Sequence, residues 1–577
     1  MSGAARLLYG RIAALLPSPA DWRAARRSPG RDLLAGLTVA VVALPLALAF
    51  GVGSGLGAQA GLATAVVAGA IAAVFGGSNL QVSGPTGAMT VVLVPIVHTH
   101  GPGGVLAVGL LAGIVLVLLA LARVGRYARF MPIPVIEGFT AGIAVVIALQ
   151  QVPAALGVPG EGERVWQAAG DAVLNFARGA SPVPIVMALA VAGIMLLGAR
   201  WRSAVPFSFL TVVAATVVAE VAGLDVARIG ALPAGLPAPS AGFLDPFLDL
   251  GALSSLLPAA LAVAALGALE SLLCASVADG MSVGERHDPD RELFGQGLAN
   301  IASPIFGGIP ATAAIARTAV NVRSGARSRL AALTHAVVLA AIVFSMSGLV
   351  GRIPLAALAG VLLATTVRMV EVGSLRAIAR STRGDAAVMI LTFVVTVVFD
   401  LVTAVAVGVG VAIVLALRAV ARSVQVEQVP LETGDHRDEE RRLLAEHIVA
   451  YRFDGPLFFG AAHRFLLELS EVADVRVVIL RMSRVSTIDA TGAGVLGDVI
   501  TRLEDRGITV LLSGIRPGHD EVLDGLGVAD HLRRDGLVFP DTPAAIAHAR
   551  TLLGLPSEPP RPPARAGRHP EVPAQTV

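Results

Sequence analysis

The chain has 577 residues, 55% hydrophobic and 15% charged, with a mean hydropathy of +0.75 and a net charge of +2. That composition excludes an ordinary soluble globule, and the near balance of charge names no nucleic-acid partner. A single cysteine, Cys274, excludes an internal disulfide framework and a cysteine-based metal cluster, and all 44 basic residues are arginine, which GC-rich coding explains without a function.

Residues 1–31 carry one short apolar patch, "IAALL", ahead of "PSPADWRAARRSPGR". They read as a basic cytoplasmic segment without a cleavable signal peptide. Apolar runs of about 20 residues then recur through residues 32–422, each long enough to cross ~30 Å of hydrocarbon. Breaks at glycine, proline and charge divide this region into fourteen segments. They begin near Asp32, Gly61, Pro85, Gly104, Pro132, Pro182, Ser203, Leu253, Arg291, Pro310, Leu330, Pro354, Asp385 and Leu401. Loops on one side hold fourteen arginines, against four on the other (Arg164, Arg178, Arg228 and Arg352). The asymmetry expects a multi-pass protein of the cytoplasmic membrane with both termini inside.

After Arg422 the pattern changes. "HIVAYRFDGPLFF", "DVRVVILRM" and "ITVLLSG" read as strands, alternating with helical stretches such as "AAHRFLLELSEVA", which makes residues 438–552 a small soluble α/β domain. Seven prolines in the last 22 residues mark 553–577 as a disordered tail.

Two membrane segments, near Pro85 and Pro310, are too short to cross. "LQVSGPTGAMTVVLVPIV" and "GGIPATAAIARTAVNVRSG" each place a short extended piece after paired glycines, then a proline at the expected first helical position, then small residues. A half-helix starting near the midplane exposes unpaired N–H donors and about +0.5 charge, and two such segments in two halves point to a transporter binding site. The candidate substrate-binding residues are Pro85, Thr86, Gly87 and Ala88 in the first segment. In the second they are Pro310, Ala311, Thr312, Ala313, Ala314 and Arg317. Read two turns below Pro310, Arg317 adds a full charge and a bidentate fork beneath a bound anion; the plainer reading is that it snorkels or pairs structurally.

Glu270 is the other charge at depth, in "ALGALESLLCASVADG". A carboxylate there must hold a proton or find a partner, so it is the candidate coupling residue for H+ or Na+; the plainer reading is a structural pair with Arg317. Glu137, near an interface, reads as structural. Asp288, Asp290 and Arg291 read as a solvated loop, and His98 and His100 as solvated outside residues. No nucleophile–base set, phosphate loop or metal-ligand spacing suggests an enzyme or a bound cofactor.

At "AGLTVAVVALPLALAFG" (35–51), "GGSNLQVSGPTGAM" (76–89), "IEGFTAGIAVVIAL" (136–149), "GALESLLCASVADGM" (267–281) and "GQGLANIASPIFGGIPATAAIARTAVNVRSGARS" (295–328), the chain resembles the SulP (sulfate permease) family. The likeness covers nearly the whole chain. It implies an α-helical polytopic membrane protein whose fourteen segments form two inverted repeats of seven. Core and gate domains then move against each other, with a cytoplasmic STAS domain. It also implies an anion site between the third and tenth segments, where Arg317 matches the family's anion-site arginine and Glu270 an acidic coupling position. The expected partners are a small anion, membrane lipid, a second copy of the chain and a cytoplasmic partner of the STAS domain. One departure is "STIDATGAGVL", where Ala490 follows Asp489 in place of the serine phosphorylated in anti-sigma-factor antagonists; Thr491 is adjacent but not equivalent.

The expected function is therefore H+- or Na+-coupled secondary transport of a small anion: sulfate, bicarbonate or a dicarboxylate such as fumarate. Two alternatives are a nucleobase permease of the same architecture, which would not need Arg317, and an anion sensor or scaffold centred on the STAS domain.

Overall fold

The computed structural model describes residues 11–126, 132–162, 164–201, 205–240, 242–243, 250–282, 286–399, 401–423, 425–428, 447–457 and 475–555. The helical pattern expected at 461–473 and the tail from 556 lie outside the described residues. Two compact units divide after Ala412, inside the last membrane helix.

The first unit is built from fifteen helices among the described residues, setting aside short turns. They are α1 (Pro29–Gly53), α2 (Ala58–Phe75), α3 (Gly87–Leu121), α4 (Ile133–Leu156), α5 (Val165–Ala177), α6 (Val183–Trp201), α7 (Phe207–Val221) and α8 (Leu250–Met281). There follow α9 (Pro289–Ala302), α10 (Ile315–Arg323), α11 (Leu330–Val350), α12 (Leu355–Met369), α13 (Val372–Ser381), α14 (Arg383–Val398) and α15 (Leu401–Ser423). Every one of the fourteen expected segments holds a helix. Two of them run together as α3, whose backbone breaks at Gly101 (φ 68, ψ −178), a conformation open to glycine. That break separates a half-helix, Gly87–His100, from a full span, Pro102–Leu121. Helices α5 and α13 were not among the expected spans; both are short, and α13 buries no side chain.

Helix α11 packs on α1 and α2, α9 on α2 and α3, and α12 and α14 on α4. Lipid tails are as apolar as leucine, so such packing relies on close backbone approach at small residues. A Cβ on Gly61 would stand 2.0 Å from the Ala47 carbonyl oxygen, and one on Gly113 would stand 2.7 Å from that of Gly297. Outward positions such as Leu189, Leu197 and Val217 are exposed and apolar, as contact with acyl chains requires.

Two short strands sit at the crossing of the halves. β1 (Ser83–Gly84) and β2 (Thr312–Ala313) pair antiparallel, with Ser83 opposite Ala313 and Gly84 opposite Thr312. Non-helical backbone at membrane depth survives here because each strand satisfies the other and both are buried in protein.

The second unit contains a sheet of β3 (Gln425–Gln428), β4 (Ile448–Leu457), β5 (Val477–Arg481), β6 (Val485–Ile488), β7 (Thr509–Ser513) and β8 (Val538–Phe539), with α16 (Ala490–Asp505), α17 (Pro517–Gly525) and α18 (Thr542–Leu552). The path is β3-β4-β5-β7-β8, antiparallel only at β3–β4, with β6 beside β4. Val477, Val478, Ile479 and Leu480 are all buried, the continuous apolar run of a parallel strand covered on both faces. Asp489 caps α16 by accepting from the Gly492 N–H at 2.7 Å, so Ala490 and Thr491 occupy the first turn.

Candidate functional site

The two broken segments meet through backbone first. The Ala314 N–H donates to the Val82 carbonyl at 3.1 Å, just beyond the β1–β2 pair. Asn300 of α9 acts as a further strand neighbour: its Oδ1 accepts from the Ala311 N–H and its Nδ2 donates to the Ala311 carbonyl, both at 2.8 Å. Thr312 donates to the Gly267 carbonyl at 3.2 Å, Thr64 to the Ile309 carbonyl at 3.0 Å, and Asn321 to the Leu80 carbonyl at 2.7 Å. The unwound segments are thus held by amide and hydroxyl side chains on α2, α9 and α10 and by a main-chain carbonyl of α8.

These bonds correct the expected helix starts. Pro310 is not the first residue of its helix; α10 begins at Ile315 with Ala314 as its N-cap, and residues 311–314 are extended. Their N–H and C=O groups are used by Asn300, β1 and Val82, so they cannot also close helical turns. Pro85 likewise precedes its helix, which starts at Gly87 with Thr86 as N-cap. Thr86 accepts from the Met89 N–H at 3.4 Å.

Arg317 therefore lies in the first turn of α10 rather than two turns down. It is 2% exposed, and its Nη2 donates to the Pro85 carbonyl at 2.6 Å, its one side-chain hydrogen bond among the described residues. A guanidinium has five N–H donors in a rigid fork. It makes no ion pair among the described residues, so the expected structural pair with Glu270 is not formed. A cation in the first helical turn is opposed by the macrodipole by about 0.3–1 kcal/mol, and the small N-terminal residues place backbone donors beside it. Positive potential is concentrated at one point, with donors left over. A Cβ on Gly84 would stand 2.5 Å from Arg317 Nη1, so only glycine lets the guanidinium lie against β1. Gly87 is equally crowded, by Ile147 of α4 and Phe50 of α1, while Ala88, Ala311 and Ala313 are buried.

Glu270 is on α8, whose stripe of Gly267, Glu270, Ser271 and Cys274 faces the crossing. Its Oε2 accepts from the Thr86 hydroxyl at 3.1 Å. One threonine thus joins the half-helix N-terminus to the candidate coupling carboxylate. Cys274 meets Thr318 of α10 at 3.2 Å, and Thr318 accepts from the Val82 N–H at 3.0 Å. No group of three or more His, Cys, Asp or Glu side chains could hold a metal among the described residues.

Sequence reading missed a second buried carboxylate. Glu292 of α9 accepts from the N–H groups of Gly77 (2.9 Å) and Ser78 (3.3 Å), from Ser271 (2.6 Å) and from Gln296 (3.1 Å). Gln296 also donates to the Ser83 hydroxyl, and Gln81 donates to Ser271 at 3.2 Å. Buried and satisfied by four donors, Glu292 fixes the loop that leads into β1. Its signal was a carboxylate four residues before Gln296 and directly after Arg291, at the edge of the stretch read as a solvated loop. That loop is itself engaged rather than merely solvated: Asp288 caps α9, Asp290 accepts from the Gly125 N–H at 3.0 Å, and Arg291 grips Asp21 at 3.0 and 2.8 Å. Glu137 accepts from Ser374 of α13 at 2.7 Å, and His98 and His100 lie near the end of the first half-helix.

Residues 30–392 match the sulfate permease family and residues 444–545 the STAS domain. The Bacillus subtilis (strain 168) protein YvdB, named for sulfate transport, is 35% identical over 506 residues, covering 86% of this chain and 94% of its own. The transmembrane domain of a cyanobacterial bicarbonate transporter, BicA, superposes with a TM-score of 0.61 at 34% identity, over 66% of this chain and 98% of that one. SLC26A9 shares the fold across 96% of this chain and 95% of its own, with a TM-score of 0.79 at 16% identity. The fold is thus that of a helical membrane transporter, with two seven-helix halves and a C-terminal STAS domain.

Proposed function

Since the chain belongs to the sulfate permease family, we propose that it is a secondary active transporter of small oxyanions, working by alternating access around Arg317. The observation that carries this reading is the buried guanidinium itself, with one protein acceptor, no paired carboxylate, and helix N-termini beside it. Such a group is stable in a membrane when an anion completes its hydrogen bonding. Thr86, Gly87 and Ala88 would bring donors from one half-helix and Arg317 from the other, while Pro85, Pro310, Ala311, Thr312, Ala313 and Ala314 act as scaffold.

Relatives named for sulfate and for bicarbonate bracket the substrate class, and a dicarboxylate such as fumarate fits the same donors. Glu270 would carry the coupling ion, H+ or Na+, on the Oε1 that Thr86 leaves untouched. The protein would act in the cytoplasmic membrane with both termini inside, as a homodimer. The deciding experiment reconstitutes the full chain in proteoliposomes and follows labelled sulfate, bicarbonate and fumarate under imposed proton or Na+ gradients. Uphill accumulation of one of them is the expected result; no uptake of any, by protein that is folded and inserted, sinks the reading.

A further inference from the structure

The stretch that leads into the first membrane helix keeps its carboxylates and displays its arginines. A turn at Pro19–Trp22 and a short helix at Arg23–Arg27 precede α1. Arg23, Arg26 and Arg31 are exposed, and none of the three side chains makes a hydrogen bond or ion pair among the described residues. The only acids between residues 11 and 37 are committed elsewhere. Asp21 grips Arg291 of α9, while buried Asp32 accepts from the N–H groups of Arg327 and Ser328 and from the Ser328 hydroxyl. Three guanidinium charges are left with no counter-charge of their own.

Apolar surface begins at the same place. α1 is exposed at Arg31, Leu33, Leu34 and Leu37 and buried at Asp32, Ala35 and Gly36. Spacings of three residues put Arg31, Leu34 and Leu37 on one face, and Leu34 is 62% exposed. The charge therefore stands at the rim of a stripe that faces acyl chains. The segment is not a loose tail. Leu15 is buried, Arg11 Nη1 donates to the Leu121 carbonyl at the end of α3 at 3.0 Å, and the Asp21–Arg291 pair ties it to α9. A lone exposed arginine needs only water, but three of them held beside lipid-facing leucines meet a surface that carries phosphate.

We propose that residues 11–37 form a site for an anionic phospholipid, with Arg23, Arg26 and Arg31 on the headgroup and an acyl chain along Leu33, Leu34 and Leu37. Guanidinium forks match phosphate oxygens, and the net negative charge of the headgroup supplies what Asp21 and Asp32 withhold. A zwitterionic lipid carries its own cation beside the phosphate and is attracted less. The contiguous apolar stripe selects a lipid over a soluble phosphate.

The test reads lipid binding, so it is independent of the function proposed above. Purified full-length protein in detergent is titrated with fluorescent phosphatidylglycerol and, separately, phosphatidylcholine. Phosphatidylglycerol should bind at least about tenfold more tightly. Neutralising Arg23, Arg26 and Arg31 together (each Arg→Gln) should weaken it by about 100-fold, about fivefold per charge, and leave phosphatidylcholine within about twofold. Arg31→Gln alone should cost about fivefold, while Arg352→Gln, an exposed arginine outside this stretch, should cost nothing. Equal affinity for the two lipids in the wild type would overturn the proposal, as would a preference for phosphatidylglycerol that survives the triple change. Equal losses in Arg31→Gln and Arg352→Gln would reduce the effect to net charge and overturn it too. Displacement of the lipid by excess inorganic phosphate would make this a soluble-anion site instead. Should the triple variant fail to fold, wild-type affinity in all three single variants overturns the proposal equally.

Discussion

The two broken segments share a backbone plan and divide the chemistry between them. The first, from Ser83 to His100, is polar at its start but uncharged: Thr86 caps the helix and donates a hydrogen bond from its hydroxyl to Glu270. The second, from Thr312 to Arg323, has no side-chain cap and carries a cation in its first turn. Paired strands hold both helix starts at one level, so N–H donors can arrive from two sides. The side chains then break the symmetry, with full positive charge on one half-helix and a link to a carboxylate on the other. Repeat symmetry builds the cradle, and departures from it place a cation on one side and a carboxylate contact on the other.

Removing the charge tests that division most severely. Arg317→Ala should lower sulfate or bicarbonate affinity by about 10–150-fold, the 1.5–3 kcal/mol of hydrogen bonds to a charged group, while thermal stability holds. Binding to purified protein checks it, and unchanged affinity would assign Arg317 to structure alone.

Glu270→Gln attacks the other half. Affinity should stay within about threefold, because the amide still accepts from Thr86. Accumulation against a gradient should vanish, leaving downhill exchange. Gradient-driven uptake at the wild-type level, under both H+ and Na+, would return Glu270 to a purely structural place.

Gly84→Ala probes how closely the halves must meet. A Cβ 2.5 Å from Nη1 forces the guanidinium off β1. Overpacking of this kind costs about 1–3 kcal/mol, and here the loss should appear in anion affinity more than in melting temperature. Thr86→Ala is milder. Losing the cap costs about 1 kcal/mol, while Thr86→Ser should keep both bonds and wild-type uptake.

The smallest effect belongs to a charge pair outside the site. Burial pulls the Asp21 carboxyl upward, but its pairing with Arg291, the Ser18 N–H and the charge of Arg329 together hold it below the ordinary range. A depressed carboxylate contributes stability above its unfolded pKa of about 4, and the contribution fades as pH falls below that value. Asp21→Asn should therefore cost no more than about 1 kcal/mol at neutral pH and nothing in strong acid, with anion affinity untouched. An affinity change would mean that the Asp21–Arg291 pair communicates with the crossing.

Much of this was open to reading because it is local. Apolar run lengths marked every membrane helix, and glycine pairs with nearby prolines marked both interruptions. A lone arginine and a lone glutamate stood out because charge at membrane depth demands a reason. The helix starts were misplaced because proline is permissive at a first turn but does not compel one. What kept residues 311–314 extended was Asn300 and a strand more than 200 residues away. Glu292 escaped notice for a related reason: its four donors come from the loop before β1, from α8 and from its own helix, and no spacing announces that convergence.

By itself, then, the sequence determined the solvent, the number of crossings, the two places where helix fails and the charges that lie there, since each follows from composition or period along one stretch of chain. Tertiary structure alone decided that Arg317 meets the Pro85 carbonyl rather than Glu270, and that Thr86 bridges a helix end to a carboxylate. Those are outcomes of hydrogen bonding between distant segments. In a buried, nearly waterless interior each polar group takes whichever partner the packing brings within 3 Å, and sequence order does not record which one that is.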